Sequence, residues 1–449
     1  MPHPERPLAT TPATDAAVDQ ATDLCGFLDA APSPYHAVGE VRRRLVERGF
    51  SEIDESAPWP RQRGRHLVSR GGTLVAWSTE DPARVEDGFR IVGAHTDSPN
   101  LRIKPRADAG QAGWRQLGVE VYGGVLLNSW LDRDLGLSGR VAVRSGSDGG
   151  AEVRLVRDDR PLLRVPQLAI HLDRGVNDGL KLNPQTQMTP VWGTGSVDEG
   201  GFRAHLADLA EVEPGDVLSW DVMAHDLTPA TLLGLDRSLL AGARIDNLLS
   251  CHAGTSALLR ALDEIDDGAA GSHRPVPVVC LFDHEEVGSE SSSGASGSVL
   301  ATVLERIALG AGVDRDGWFA ALARSACISA DGAHATHPNY TERHEPAHHV
   351  AVNAGPVVKA NANVRYATDA PSAALVRLAA EAAAVPLQEF VVRTDMPCGS
   401  TIGPVTAARL GVPTVDVGVA QLSMHSAREL CGSADPELFA RLLVRFLRP

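Results

Sequence analysis

An uncharged run, Val276-Pro-Val-Val-Cys-Leu-Phe282, leads straight into Asp283-His284-Glu285-Glu286, then Gly288 and Ser289. Its β-branched start, short length and Gly/Ser stop read as a strand buried on both faces. Such a strand belongs in a mostly parallel sheet covered by helices on both sides, which restricts the fold class to α/β. The end of the run restricts the chemistry. Two adjacent carboxylates emerging where the strand stops enter a crevice, and like charges there need an outside reason to coexist. A metal ion is the simplest reason. It fixes one carboxylate as a ligand and leaves its neighbour free to move protons, so the chain reads as a hydrolytic metalloenzyme.

The rest of the sequence supplies the partners of that strand. Ala17 to Ala30 has helical spacing, and Ser33-Pro34 offers an N-cap and first-turn proline for a helix through Val38, Val41 and Leu45 that stops at Gly49. Short strands are predicted at His66–Ser69 and Thr73–Trp77, and another at Phe89–Ala94, running into His95-Thr96-Asp97. From residue 101 to 235 the texture changes to frequent glycines and short alternating segments. This is a β-rich block with no clear helix of its own. The α/β rhythm then returns, with strands at Ala326–Ala330, Glu389–Arg393 and Pro413–Val419 between helices. The economical account is a catalytic domain in two parts, 1–100 and 236–449, interrupted by an inserted domain, 101–235.

A chain of 449 residues is too long for one ordinary core, in keeping with two domains. Aromatics make up only 4%, so the core must rest on Val, Leu, Ile and Ala. The formal net charge of −15 argues against nucleic-acid binding. The six scattered cysteines form no CxxC pair and read as reduced thiols of a cytoplasmic protein. The first ~20 residues hold acids but no apolar core, so they read as a loose leader and not an export signal. No stretch approaches the ~20 apolar residues of a membrane span.

His95, Glu285-Glu286, Asp331 and His425 each follow the C-terminal end of a predicted strand, the edge where open α/β sheets bind ligands. Asp246, just before a helix, can reach the same edge. The candidate ligands are therefore His95, Asp246, Glu286, Asp331 and His425. If Asp246 bridges, each of two divalent ions has three protein ligands and an open position for a shared water or hydroxide. Zinc is the expected ion, with cobalt and manganese as alternatives. Glu285 is then the general base, and Asp97 is placed to orient the His95 ring.

With those residues in hand, the chain resembles the M18 metallopeptidases, the aspartyl aminopeptidase family. The matching segments include Ser33-Pro-Tyr-His-Ala37, Ala94-His-Thr-Asp-Ser-Pro99, Leu168-Ala-Ile-His171, Arg244-Ile-Asp-Asn-Leu248 and Asp283-His-Glu-Glu-Val-Gly-Ser289. They continue with Ser329-Ala-Asp-Gly-Ala-His-Ala335, Gly355-Pro-Val-Val-Lys359, Cys398-Gly-Ser-Thr-Ile-Gly403 and Leu422-Ser-Met-His-Ser426. The resemblance implies removal of N-terminal Asp or Glu from peptides by attack of a dizinc-bound hydroxide. It implies a dimerisation role for the inserted domain and a homododecamer built from dimers. It assigns the same five ligands and the same base, and places His171, His334, Lys359 and Tyr366 at the substrate. His284, where the family more often has Asn, and Ser291-Ser-Ser-Gly294, which lacks a common Gln, depart from its pattern. Another dinuclear amidase, such as a carboxypeptidase or N-deacylase, and a non-catalytic scaffold particle are the competing expectations.

Overall fold

The computed structural model describes residues 14–146, 149–266 and 274–449. Residues 1–13 of the expected leader lie outside these. From Asp15 the leader reading gives way to a helix, Asp15–Ala30, whose first turn is capped by the Thr14 side chain.

Four parallel strands form the centre of a nine-stranded sheet: β1 (Phe89–His95), β2 (Val276–Phe282), β3 (Ala326–Ala330) and β4 (Thr414–Gly418). They lie in the order β2-β1-β3-β4. Arg65–Arg70 and Thr73–Ser78 extend the sheet beyond β2, and Val357–Ala360 and Gln388–Val391 extend it beyond β4. Alternation along each strand divides two cores. Val92, Ala94, Val279 and Leu281 point to one face, where Leu24, Val41, Leu249 and Leu443 from four helices cover them. Phe89, Ile91, Val278 and Cys280 point to the other, under Val303, Trp318 and Ile402 from three more helices. Each such Val or Leu contributes roughly 1.5–3 kcal/mol of burial. That explains why all seven residues of β2 are buried.

The segment after β1 builds a separate six-stranded antiparallel sheet, from Asn100–Gln111 through Val217–Asp226, with its own core around Leu101, Leu137 and Val222. The expectation of no helix in this stretch is corrected. Gly201–Ala210 is helical and buries Phe202, Leu206 and Ala210, and Pro184–Gln187 forms one further turn. The first of these helices has no local cap. Asp108, far away in sequence, accepts from Gly200 N at 2.9 Å and Phe202 N at 3.0 Å, so the start signal is tertiary. A third sheet of five short strands was not anticipated. It joins Leu239–Gly242 to Glu429–Gly432 and Ala420–Leu422, each too short to show a period.

Among the described residues, no helix is long and apolar enough to cross a membrane. All six cysteines are free.

Candidate metal centre

Strand register levels the site. Phe282 lies opposite His95, and Ser329 opposite Gly93, so Asp331 emerges beside His95 one strand away. Glu285 and Glu286 occupy a single turn just beyond β2. Asp246 has non-helical backbone angles, φ −81° and ψ 106°, which hold its side chain ahead of the helix proper. His425 follows β4 after the short strand Ala420–Leu422.

The two imidazoles are oriented by carbonyls. His95 Nδ1 donates to the Asp97 carbonyl at 3.0 Å, and His425 Nδ1 donates to the Gly124 carbonyl at 3.0 Å. A carbonyl only accepts, so each neutral ring keeps its proton there and turns a lone pair at Nε2 inward. His95 Nε2 faces Asp246 Oδ1 at 3.5 Å and Asp331 Oδ2 at 3.6 Å. His425 Nε2 faces Asp246 Oδ2 and Glu286 Oε2, both at 3.4 Å. These gaps are too long for good hydrogen bonds. They are close to the ~3.4 Å edge of a tetrahedron of ligands ~2.0–2.1 Å from zinc. The ligand atoms within His95–Asp246–Asp331, and within Asp246–Glu286–His425, all lie within 4.8 Å of one another. Asp246 Oδ1 and Glu286 Oε1 are buried without a hydrogen-bond partner. Acceptors facing acceptors, with two orphaned carboxylate oxygens, fit divalent cations.

Without cations, the same cluster carries a surplus of negative charge that draws protons onto His95 and the glutamates. Burial opposes a proton on His95, yet Asp246, Asp331 and Asp97 carry its pKa well above the ordinary value. Burial likewise opposes ionisation of Asp246, but His425 and His95 hold it below the usual carboxylate range. Burial pushes Glu286 well up and takes Glu285 to about 8, helped by Asp331, Asp97 and Asp246 against His95. So many acids in one place, without cations, must take up protons. Glu285 is the more open of the pair, its side chain 16% exposed against 4% for Glu286, with Oε2 3.9 Å from His95 Nε2.

Asp97 does more than the sequence suggested. Its carbonyl makes the hydrogen bond that orients His95, while the nearer carboxylate oxygen stands 3.4 Å from Nδ1. The carboxylate accepts from the main-chain N–H groups of Glu285 at 3.0 Å and Glu286 at 3.1 Å, and from the Tyr122 hydroxyl at 2.7 Å.

A cavity of about 510 Å³ opens over the centre, lined by the five candidate ligands and Glu285 together with His334, Lys359 and Tyr366. Lys359 sits on a strand with 1% exposure. Its Nζ donates to Asp331 Oδ1 at 3.1 Å and to the Gly332 carbonyl at 2.9 Å, and lies 5.0 Å from the centre of the Tyr366 ring. His171 is exposed in a turn of the inserted segment and does not line this chain's cavity.

Glu429 escaped the sequence reading. It is fully buried, and its two oxygens accept from Asp246 N at 2.9 Å and His425 N at 2.7 Å, fixing the main chain of two candidate ligands. A single acid inside the otherwise uncharged stretch Glu429-Leu-Cys-Gly432 was the available signal.

Residues 27–447 match the family described as Aminopeptidase I zinc metalloprotease (M18). The chain is 53% identical over 430 residues to a probable M18 family aminopeptidase 2 of Streptomyces coelicolor, covering 95% of this chain and 97% of that one. Among solved structures, it superposes with TM-score 0.91 on a chain from a cryo-EM structure of the Ape4 and Nbr1 complex. That match has 36% identity and covers 96% of this chain and 86% of the other. The S. cerevisiae mApe1 dodecamer matches with TM-score 0.83 and 27% identity, over 96% of this chain and 97% of the other. With its histidines and carboxylates gathered at one sheet edge, and a family match spanning residues 27–447, the chain belongs to the M18 family of zinc aminopeptidases.

Proposed function

We propose that the protein removes N-terminal Asp or Glu from peptides with a free amino terminus, using two divalent ions bridged by Asp246. His95 and Asp331 would hold one ion, and Glu286 and His425 the other, with Asp246 placed to serve both. The observation that carries this reading is the division of Asp246, one oxygen facing each inward-turned imidazole. When bound, the ions supply an acidified water and a Lewis-acid grip on the scissile carbonyl. Glu285 takes the proton of the attacking water and delivers it to the leaving amine. Asp97 holds Glu285 for that transfer through its main-chain N–H.

Lys359 reads the acidic side chain from the cavity floor, its ammonium divided between Asp331 and the incoming carboxylate. Tyr366 and His334 shape the pocket around it. His171 serves the cavity of a neighbouring copy, and the inserted sheet provides the dimer contact of a homododecamer like that of yeast mApe1. Zinc is the proposed ion and the cytoplasm the proposed location.

Turnover of an Asp-leading peptide, its N-acetylated form and a Leu-leading peptide decides the matter. Each is assayed before and after chelation, with zinc, cobalt and manganese added back. The expected result is loss of activity on chelation, recovery with metal, preference for the Asp peptide and rejection of the blocked one. Equal cleavage of the acetylated peptide would point to a deacylase or endopeptidase, and equal rates on Asp and Leu would remove the acidic specificity.

A further inference from the structure

The inserted six-stranded sheet reaches the metal centre through the turn that follows Trp114–Tyr122. Three consecutive residues there each touch part of it. The Tyr122 hydroxyl donates to Asp97 Oδ2 at 2.7 Å. The same carboxylate accepts from Glu285 N and Glu286 N. Gly123 has φ +73°, and a Cβ there would lie 3.1 Å from Glu286 Cβ. The Gly124 carbonyl accepts from His425 Nδ1 at 3.0 Å, and a Cβ at Gly124 would lie 3.0 Å from that nitrogen. The tyrosine is itself held, because the Arg102 guanidinium stacks 3.9 Å from its ring centre.

The direct contacts fall on one side, and His95 is reached only through Asp97, whose carboxylate stands 3.4 Å from its Nδ1. Glu286, His425 and the Glu285 main chain lean on the inserted sheet. His95 and Asp331 are held from the catalytic sheet, His95 by the Asp97 carbonyl, and Asp331 by Lys359 and the Val417 carbonyl.

We propose that Tyr122-Gly123-Gly124 is a positioning element through which the inserted sheet sets the Glu286–His425 half of the centre and the placement of Glu285. Gly124 governs the second ion through the His425 ring. Tyr122 governs proton transfer through Asp97. Catalysis then depends on how the inserted sheet sits against the catalytic one. Any assembly contact that moves that sheet is felt at one ion first. The proposal rests on the two-ion reading above.

The test uses the full chain, stripped of metal and titrated with zinc against a chromophoric chelator. Wild type is expected to bind two equivalents. Gly124→Ala is expected to keep one tight equivalent and weaken the other about 10–100-fold, the range typical when a ligand's outer partner is disturbed. Tyr122→Phe, which removes only an oxygen, is expected to bind two equivalents normally. It should lose about 10-fold or more in kcat with KM unchanged, since its effect lies in orienting the base and not in binding. Thermal midpoints of the metal-free proteins check that each variant is folded. Two undisturbed equivalents in Gly124→Ala, or wild-type kcat in Tyr122→Phe, would overturn the proposal. Should Gly124→Ala not fold, Tyr122→Phe decides alone. A wild-type protein that takes up only one equivalent would instead remove the two-ion reading, so the wild-type isotherm separates the two failures.

Discussion

Glu285 and Glu286 are neighbours with opposite surroundings. Glu286 turns one oxygen to His425 and buries the other without a partner, whereas Glu285 stays more open and touches the centre only at 3.9 Å. Glu285→Gln should therefore leave zinc uptake unchanged and lower turnover about 10²–10⁴-fold, the usual reach of a general base. Metal titration and steady-state kinetics on one sample check this, and near-normal turnover would reject Glu285 as base. The candidate ligands could be proposed from sequence because side chains of metal-binding type follow several strand ends that meet at one sheet edge. Their main-chain supports could not: Glu429 works by accepting from two N–H groups, and a lone acid in an uncharged stretch marks burial without saying what it holds. The two departures from the family pattern explain each other. His284 takes the left-handed conformation at φ +65°, where Asn is favoured, and its Nδ1 finds Ser291 Oγ at 2.8 Å. Residues that look like separate oddities in sequence make one contact in space.

Whether an element could be read depended on where its ends are fixed. The helix Pro34–Glu47 carries its own start signal. Ser33 accepts from His36 N and lies 2.7 Å from His36 Nδ1. Ser33→Ala should cost about 1 kcal/mol in urea denaturation, with most of it recovered in Ser33→Thr. No loss would mean that the cap does not set this helix. The helix Gly201–Ala210 is the contrast, because its cap is Asp108 on a distant strand. β3 was legible to the residue, since a fully buried strand bounded by charged or polar groups needs no partner to be recognised. The two-to-four-residue strands of the third sheet form only because longer elements bring them together.

For the whole molecule, two histidines near the junction of the sheets make stability depend on pH. Burial, aided by Arg157, lowers His36 to about 4, and burial, aided by Arg244, lowers His225 to about 3, from 6.5. Both arginines hold the C-terminal end of the helix Asp15–Ala30: Arg157 donates to the Asp29 carbonyl, and Arg244 to the carbonyls of Leu28 and Ala31. A depressed histidine pKa means that the unfolded chain takes up the proton first. The stabilisation is thus complete above about pH 6.5 and is lost as pH falls toward about 4 for His36 and about 3 for His225. Buried carboxylates with raised pKa, such as Glu429, act in the opposite sense, so the histidine effect is read as a difference. Between pH 6.5 and 5 the wild type should lose up to ~2 kcal/mol more than His225→Gln in urea titrations of the metal-free protein. Identical losses would show that His225 is not the group responsible. By itself the sequence determined the layered α/β fold, the β-rich interruption and the candidate ligand types, because strand burial and residue chemistry are local and repeat at short range. Only the tertiary structure decided which oxygens face which imidazoles, that Asp246 is divided between them, and that a turn of the inserted sheet leans on one half of the centre. Those facts depend on strand register and on contacts between residues hundreds of positions apart, which no local pattern encodes.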